Sequence, residues 1–154
     1  MHTLDELDRR ILRELQEDGR LSNQDLADRV GLSPSPCLRR VRQLERAGVI
    51  QGYRAVVSPK AVDLTITAFV RLRLASHEGA TVDAVEKRLR SIPHIVEAHL
   101  LAGDYDYLVR IVTPSFDEYE RLLREHLRAI PSLASIDTTF AFGVTKPVSP
   151  LPVG

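Results

Sequence analysis

Residues 22–53 read SNQDLADRVGLSPSPCLRRVRQLERAGVIQGY, and this stretch decides the fold of the first part of the chain. Ser22 suits a helix N-cap, Asp25 the positive end of the dipole, Leu26 and Val30 an inward face, and Gly31 a stop. Leu32 alone separates this short helix from Ser33-Pro34-Ser35-Pro36. Proline breaks helices, but the first turn carries N–H groups with no intrahelical partner, so proline there forfeits nothing. Two starts fit: Ser33 as cap with Pro34 first, or Ser35 as cap with Pro36 first. The second better respects proline's push on its predecessor towards extended geometry. Upstream, LDELDRRILRELQEDG (residues 4–19) sets Leu4, Leu7, Ile11, Leu12 and Leu15 at helical spacing, with Gly19 as a stop. Three short helices with a tight second turn describe a helix-turn-helix.

On a helical wheel of the third helix, Cys37, Leu38, Val41 and Leu44 form the inward stripe. Arg39, Gln43 and Arg46 point the opposite way, Ser35 lies above them, and Arg40 and Arg42 sit on the flanks. Cys37 reads as a small buried hydrophobe. Net charge is zero over the whole chain, yet its distribution is uneven. Residues 1–32 hold five arginines against eight carboxylates, whereas residues 33–60 hold six basic side chains against Glu45 alone. A solvated helix face would carry acidic partners, and here they are missing. A local field of this sign steers a polyanion, so double-stranded DNA is the expected partner. The start of the third helix, with Ser33 and Ser35, is the end that meets base edges in such motifs.

After Gly48, VIQGYRAVV reads as extended, with Gly52 as a bend; it forms a wing or leads into a linker. Ser58-Pro59 marks the end of the first domain, giving 1–60 and 61–154. The second part contains a repeat: SIPHI at 91–95 and AIPSL at 129–133 each put Ile-Pro where a helix stops. Ahead of them lie the helical segments TVDAVEKRLRSI and SFDEYERLLREHLRAI, each preceded by an apolar strand, TAFVRLRL and YLVRIV. Further strands follow, IVEAHLLA and ASIDTTFAF, ending at Gly103 and Gly143. The order is βαββαβ, a ferredoxin-like split βαβ arrangement, so the class is α+β. One strand presents Ile66, Ala68, Val70 and Leu72 on one side and Phe69 on the other. Another presents Tyr107, Val109 and Ile111 against Leu108 and Val112. Apolar residues on both faces predict a partner subunit over the face that helices leave bare.

The 154 residues are 44% apolar and 27% charged, enough for packed cores in one or two small domains. No run approaches a membrane span, no segment resembles a leader, and the one cysteine points to a reducing cytoplasm. Histidines stand at positions 2, 77, 94, 99 and 126; His94 and His99, five apart on a strand, face opposite sides and cannot share a metal. Glycine-rich phosphate loop, nucleophile elbow and metal cluster are all missing, and Asp104 and Asp106 read as a turn rather than paired acid-base carboxylates. No cofactor or metal is expected, and an enzyme is disfavoured.

Three stretches together resemble the Lrp/AsnC family of leucine-responsive, or feast/famine, transcriptional regulators: LDRRIL, the quoted residues 22–53, and LAGDYDYLVRI from Leu101. The resemblance runs from about Leu4 to Pro152. It implies a winged helix-turn-helix, an extended linker, and an αβ sandwich that dimerises, builds octamers or other higher assemblies and binds an amino-acid effector between dimers. A weakly specific nucleoid-associated protein is the alternative. For DNA, Arg39, Gln43 and Arg46 are expected in the major groove with Ser35 at its entrance, and Arg40, Arg42 and Arg54 at phosphates. For the effector, Gly103 can adopt positive φ and admit a ligand closely. Asp104 or Asp106 can meet an ammonium group and nearby backbone N–H groups a carboxylate. The expected site therefore spans Leu101, Gly103, Asp104, Tyr105, Asp106 and Tyr107, with Thr138 and Thr139 as further hydroxyl contacts. The proline-rich tail TKPVSPLPVG is left without a role.

Overall fold

The computed structural model describes residues 3–154, so His2 lies outside the described residues. Two compact units emerge: one runs through Val56 and takes in Lys146–Gly154, the other is Val57–Thr145.

In the first unit, α1 (Glu6–Glu17) starts at a capping box: Asp5 Oδ1 accepts the Asp8 N–H at 2.8 Å, and Asp8 Oδ2 accepts the Asp5 N–H at 3.2 Å. The expected stop at Gly19 moves back one residue, because Asp18 swings to φ −140° and closes the helix with its own N–H on the Glu14 carbonyl. Helix α2 (Asn23–Val30) has the expected ends, Ser22 Oγ accepting the Asp25 N–H at 3.1 Å and Gly31 turning at φ 73°. Helix α3 (Pro34–Arg46) begins after Ser33, which resolves the two starts. The hydroxyl of Ser33 makes no capping bond. A cap bonds the second or third N–H of its helix, and Pro36 in third place has none to give. Asn23 Nδ2 supplies the tie instead, donating to the Pro34 carbonyl at 2.9 Å.

Ile11, Leu12, Leu26, Ala27, Val30, Cys37 and Leu44 form the core of this unit. Leu38, expected in the inward stripe, is 37% exposed, because it lies one step round the wheel from the buried line through Cys37 and Leu44. The chain after α3 turns at Gly48 (φ 70°) and bends at Gly52 (φ 147°), but residues 51–58 pair with nothing as strands. They lead on as extended chain towards the second unit.

The second unit opens with a short 3₁₀ turn, Pro59–Val62. It then follows the expected order: β1 (Ile66–Leu74), α4 (Gly79–Ser91), β2 (Ile95–Leu100), β3 (Tyr107–Thr113), α5 (Phe116–Leu122) and β4 (Leu133–Ala141). The four strands form one antiparallel sheet in the order β2-β3-β1-β4, so β3 lies between the two strands of the first split unit. Ile92 caps the end of α4 as expected, whereas the second helical stretch stops two residues ahead of Ile130, at Arg128; both isoleucines are buried. The last turn after α5, Leu123–Leu127, is a π turn.

Ala68, Val70, Leu72 and Leu74 of β1 and Tyr107, Val109 and Ile111 of β3 are buried with Val85, Leu89, Tyr119 and Leu122 of the helices. On the other face Phe69 is exposed and Leu108 half-buried, whereas Val112, expected beside them, is only 5% exposed. Among the described residues no helix is long and apolar enough to cross a membrane, and no group of side chains could hold a metal ion.

Candidate nucleic-acid interface and effector site

Helix α3 is held against the other two by Cys37 and Leu44, both fully buried, and that anchoring decides which side chains face out. Burial raises the Cys37 thiol pKa, so the sulfur is packing and not a nucleophile. Ser35, Arg39, Arg42, Gln43 and Arg46 are all exposed. Arg46 Nε folds back to its own helix, donating to the Arg42 carbonyl at 3.2 Å. Arg39, Arg42 and Gln43 have side chains with no hydrogen bond or ion pair among the described residues, as does linker residue Arg54. Cations without carboxylate partners on one exposed helix face suit a polyanion.

Arg40 departs from expectation. Its Nη1 lies 2.7 Å from Asp5 Oδ2 and 2.8 Å from Asp8 Oδ1, so the cation expected at a phosphate is taken up by the start of α1. The Asp8 N–H and then the Arg40 guanidinium hold the Asp5 carboxyl below its ordinary pKa, and the two carboxylates raise that of Arg40. Asp5 and Asp8 are legible as a capping pattern; their partner more than thirty positions away is not.

In the second unit, the loop between β2 and β3 is tied down by Asp106. Its Oδ2 accepts the Leu74 N–H at 2.6 Å, its Oδ1 lies 2.6 Å from His77 Nε2, and its backbone N–H bonds the Leu72 carbonyl at 2.9 Å. The Leu74 N–H chiefly, then His77, lowers the Asp106 pKa. Asp106 therefore anchors the loop, while Asp104 is exposed. Gly103 sits at φ 155° with open space where a Cβ would stand. Tyr105 reaches the bare sheet face: its hydroxyl is 3.5 Å from Asp137 Oδ2, and the Arg71 guanidinium stacks on its ring at 4.9 Å. Arg71 and Asp137 also pair with each other across β1 and β4. The sequence reading missed both, since only strand register brings them together.

Tyr107 is buried in the core, with a hydroxyl that has no hydrogen-bond partner among the described residues. It lines a cleft of about 390 Å³ between α4 and β2 with Glu86, Arg90, Val96 and Leu100. Thr138 and Thr139, adjacent on β4, point to opposite faces and cannot line one pocket. Thr138 is opposite Val70 and is hydrogen-bonded to the Tyr119 hydroxyl at 2.5 Å, whereas Thr139 is opposite Phe69 and exposed. Leu101, also exposed, closes the loop by donating its N–H to the Asp106 carbonyl at 2.8 Å.

Comparison with known proteins agrees with this geometry. Residues 4–51 match the family model described as winged helix-turn-helix DNA-binding, and residues 67–151 match the Lrp/AsnC ligand binding domain. The leucine-responsive regulatory protein of Escherichia coli K12 is 44% identical over 130 residues, covering 84% of this chain and 79% of that protein. A transcriptional regulator from Neisseria meningitidis, solved as a complex with L-Met, superposes with a TM-score of 0.91 at 34% identity, covering 98% of this chain and 97% of that one. An AsnC family regulator from Agrobacterium tumefaciens gives 0.91 at 37% identity over 97% of each chain. A helix-turn-helix with an unpartnered basic face, followed by a split βαβ ligand-binding domain, makes this chain a member of the Lrp/AsnC family of transcriptional regulators, DNA-binding proteins modulated by an amino-acid effector.

Proposed function

We propose that Arg39, Gln43 and Arg46 read base edges in the major groove, with Ser33 and Ser35 at the helix entrance. Arg42 and Arg54 meet phosphates. The observation that carries this is the exposed, unpaired state of Arg39, Gln43 and Arg42 beside a fully paired Arg40. Arg40 belongs to the scaffold in this reading. An arginine on guanine discriminates by about 1–3 kcal/mol, whereas a phosphate contact weakens every sequence alike. Gel-shift titration of Arg39→Ala on duplexes selected from a random library, and on unselected duplexes, tests the assignment: a larger loss on the selected ones is expected. Equal losses on both would favour the nucleoid-style alternative.

The effector in this reading is a free amino acid at the loop Leu101–Tyr107. The open space at Gly103, the exposed Asp104 carboxylate, and Tyr105 with Thr139 on the bare face support it. Asp106 contributes by fixing the loop and Tyr107 by its buried ring at the loop's end, whereas Thr138 is taken up by Tyr119 on the helix-covered face. A second subunit covers the sheet face around Phe69, and dimers build larger assemblies between which the effector binds. L-methionine, the ligand of the Neisseria meningitidis relative, is the first compound to test. The relatives are regulatory proteins, and a regulator in this reading works where the DNA is, in the cytoplasm.

A further inference from the structure

The DNA-binding unit carries a cavity of about 270 Å³ between α1 and the residues that follow α3, lined by Leu4, Leu12, Leu15, Ile50 and Tyr53. The proline-rich tail lies along it. Gln16 spends both ends of its amide on one residue of that tail. Its Oε1 accepts the Leu151 N–H at 2.6 Å, and its Nε2 donates to the Leu151 carbonyl at 3.1 Å. These are the two bonds that one strand residue makes with another. Two positions on, Arg13 Nη1 donates to the Val153 carbonyl at 3.1 Å, and the Val153 side chain packs on the core of the unit.

The tail sequence fits this use. Pro150 and Pro152 flank Leu151, so within Pro150–Pro152 the one N–H available is the one Gln16 accepts. Fixed proline φ angles also lower the entropy lost on docking.

We infer that residues 150–153 are a docking peptide for a groove on the DNA-binding unit, giving that unit a second attachment to the effector domain beside residues 51–58. The docked segment continues the chain of β4, from which residues 142–149 separate it. A unit tied at two points explores fewer orientations than one on a single linker, which favours DNA that engages two recognition helices at once.

Hydrogen exchange on the full chain tests the docking without reference to DNA or effector. The Leu151 amide should exchange at least about tenfold slower than in a free peptide. Gln16→Leu and Val153→Asp should abolish that protection while α1 keeps its own. Gel shifts then use duplexes selected from a random library, whole and cut to one half-site. Both variants should weaken binding to the whole duplex about 3- to 10-fold and leave the half-site unchanged. An unprotected Leu151 amide in the wild type overturns the docking. Release of the tail with unchanged affinity for both duplexes, or with equal loss on both, overturns the tether.

Discussion

Arg40 Nη1 lies 2.8 Å from Asp8 Oδ1, and this contact joins the helix that carries the basic face to the first turn of α1. The Asp8 side chain is 7% exposed, whereas that of Arg40 is 26% exposed, so the pair sits at the edge of the core with its carboxylate buried. In the proposed reading Arg40 therefore serves DNA binding through the position of α3.

Replacing Arg40 by alanine removes a charge-assisted contact to both Asp5 and Asp8 and should destabilise the DNA-binding unit by about 1–3 kcal/mol. Arg42→Ala, exposed and unpaired, should change stability by less than about 0.5 kcal/mol. It should instead lower affinity for all DNA sequences and flatten the salt dependence by about one unit of slope. Urea melts and gel shifts over a salt series separate the two.

Asp5 has its pKa lowered on folding from the ordinary value of 3.8 by the Asp8 N–H and by Arg40. A depressed carboxylate contributes stability that is complete above the unfolded pKa and is lost as pH falls through the folded one. The DNA-binding unit should accordingly lose stability below about pH 4. Asp5→Asn, which keeps a capping oxygen, should remove part of that pH dependence. Denaturant midpoints measured between pH 6 and pH 2.5 for both proteins check it.

The two threonines of β4 should behave differently. Thr138→Val leaves the Tyr119 hydroxyl, at 2.5 Å in the folded protein, without a partner and should cost about 1–2 kcal/mol. Thr139→Val on the open face should be nearly silent in a thermal melt, and in the proposed reading weakens amino-acid binding. Calorimetry with the twenty amino acids, on wild type, Thr139→Val and Gly103→Trp, shows whether the loop is the site. Binding to Gly103→Trp as tight as to wild type would remove it.

Phe69, exposed at the centre of the bare sheet face, should be buried by a second subunit. A charge there would be desolvated on association, so Phe69→Asp should give monomers by light scattering at micromolar concentration where the wild type is at least dimeric. A dimeric Phe69→Asp protein would move the interface elsewhere.

Much of this molecule is local and was readable in order. Helix ends at Ser22 and Gly31, the buried line through Cys37 and Leu44, and the repeat marked by Ile92-Pro93 and Ile130-Pro131 follow from propensities that act over a few residues. The motifs gave the family for the same reason: they are contiguous. The start of α3 is a detail that proline chemistry did not decide: its push on the preceding residue favoured Ser35 as the cap, and the helix begins after Ser33.

What sequence could not supply is which distant groups claim each other. Arg40 looked like Arg42 until Asp5 and Asp8 were brought to it by the packing of α1 on α3. Asp106 looked like Asp104 until β1 offered it the Leu74 N–H and His77 stood beside it. Thr138 was separated from Thr139 by pleat and register, and the tail acquired a role only through Gln16. Propensity and periodicity are properties of neighbours along the chain, so sequence alone determined the elements and the family. The partner of a charge or an amide is set by three-dimensional proximity, and that the tertiary structure decided.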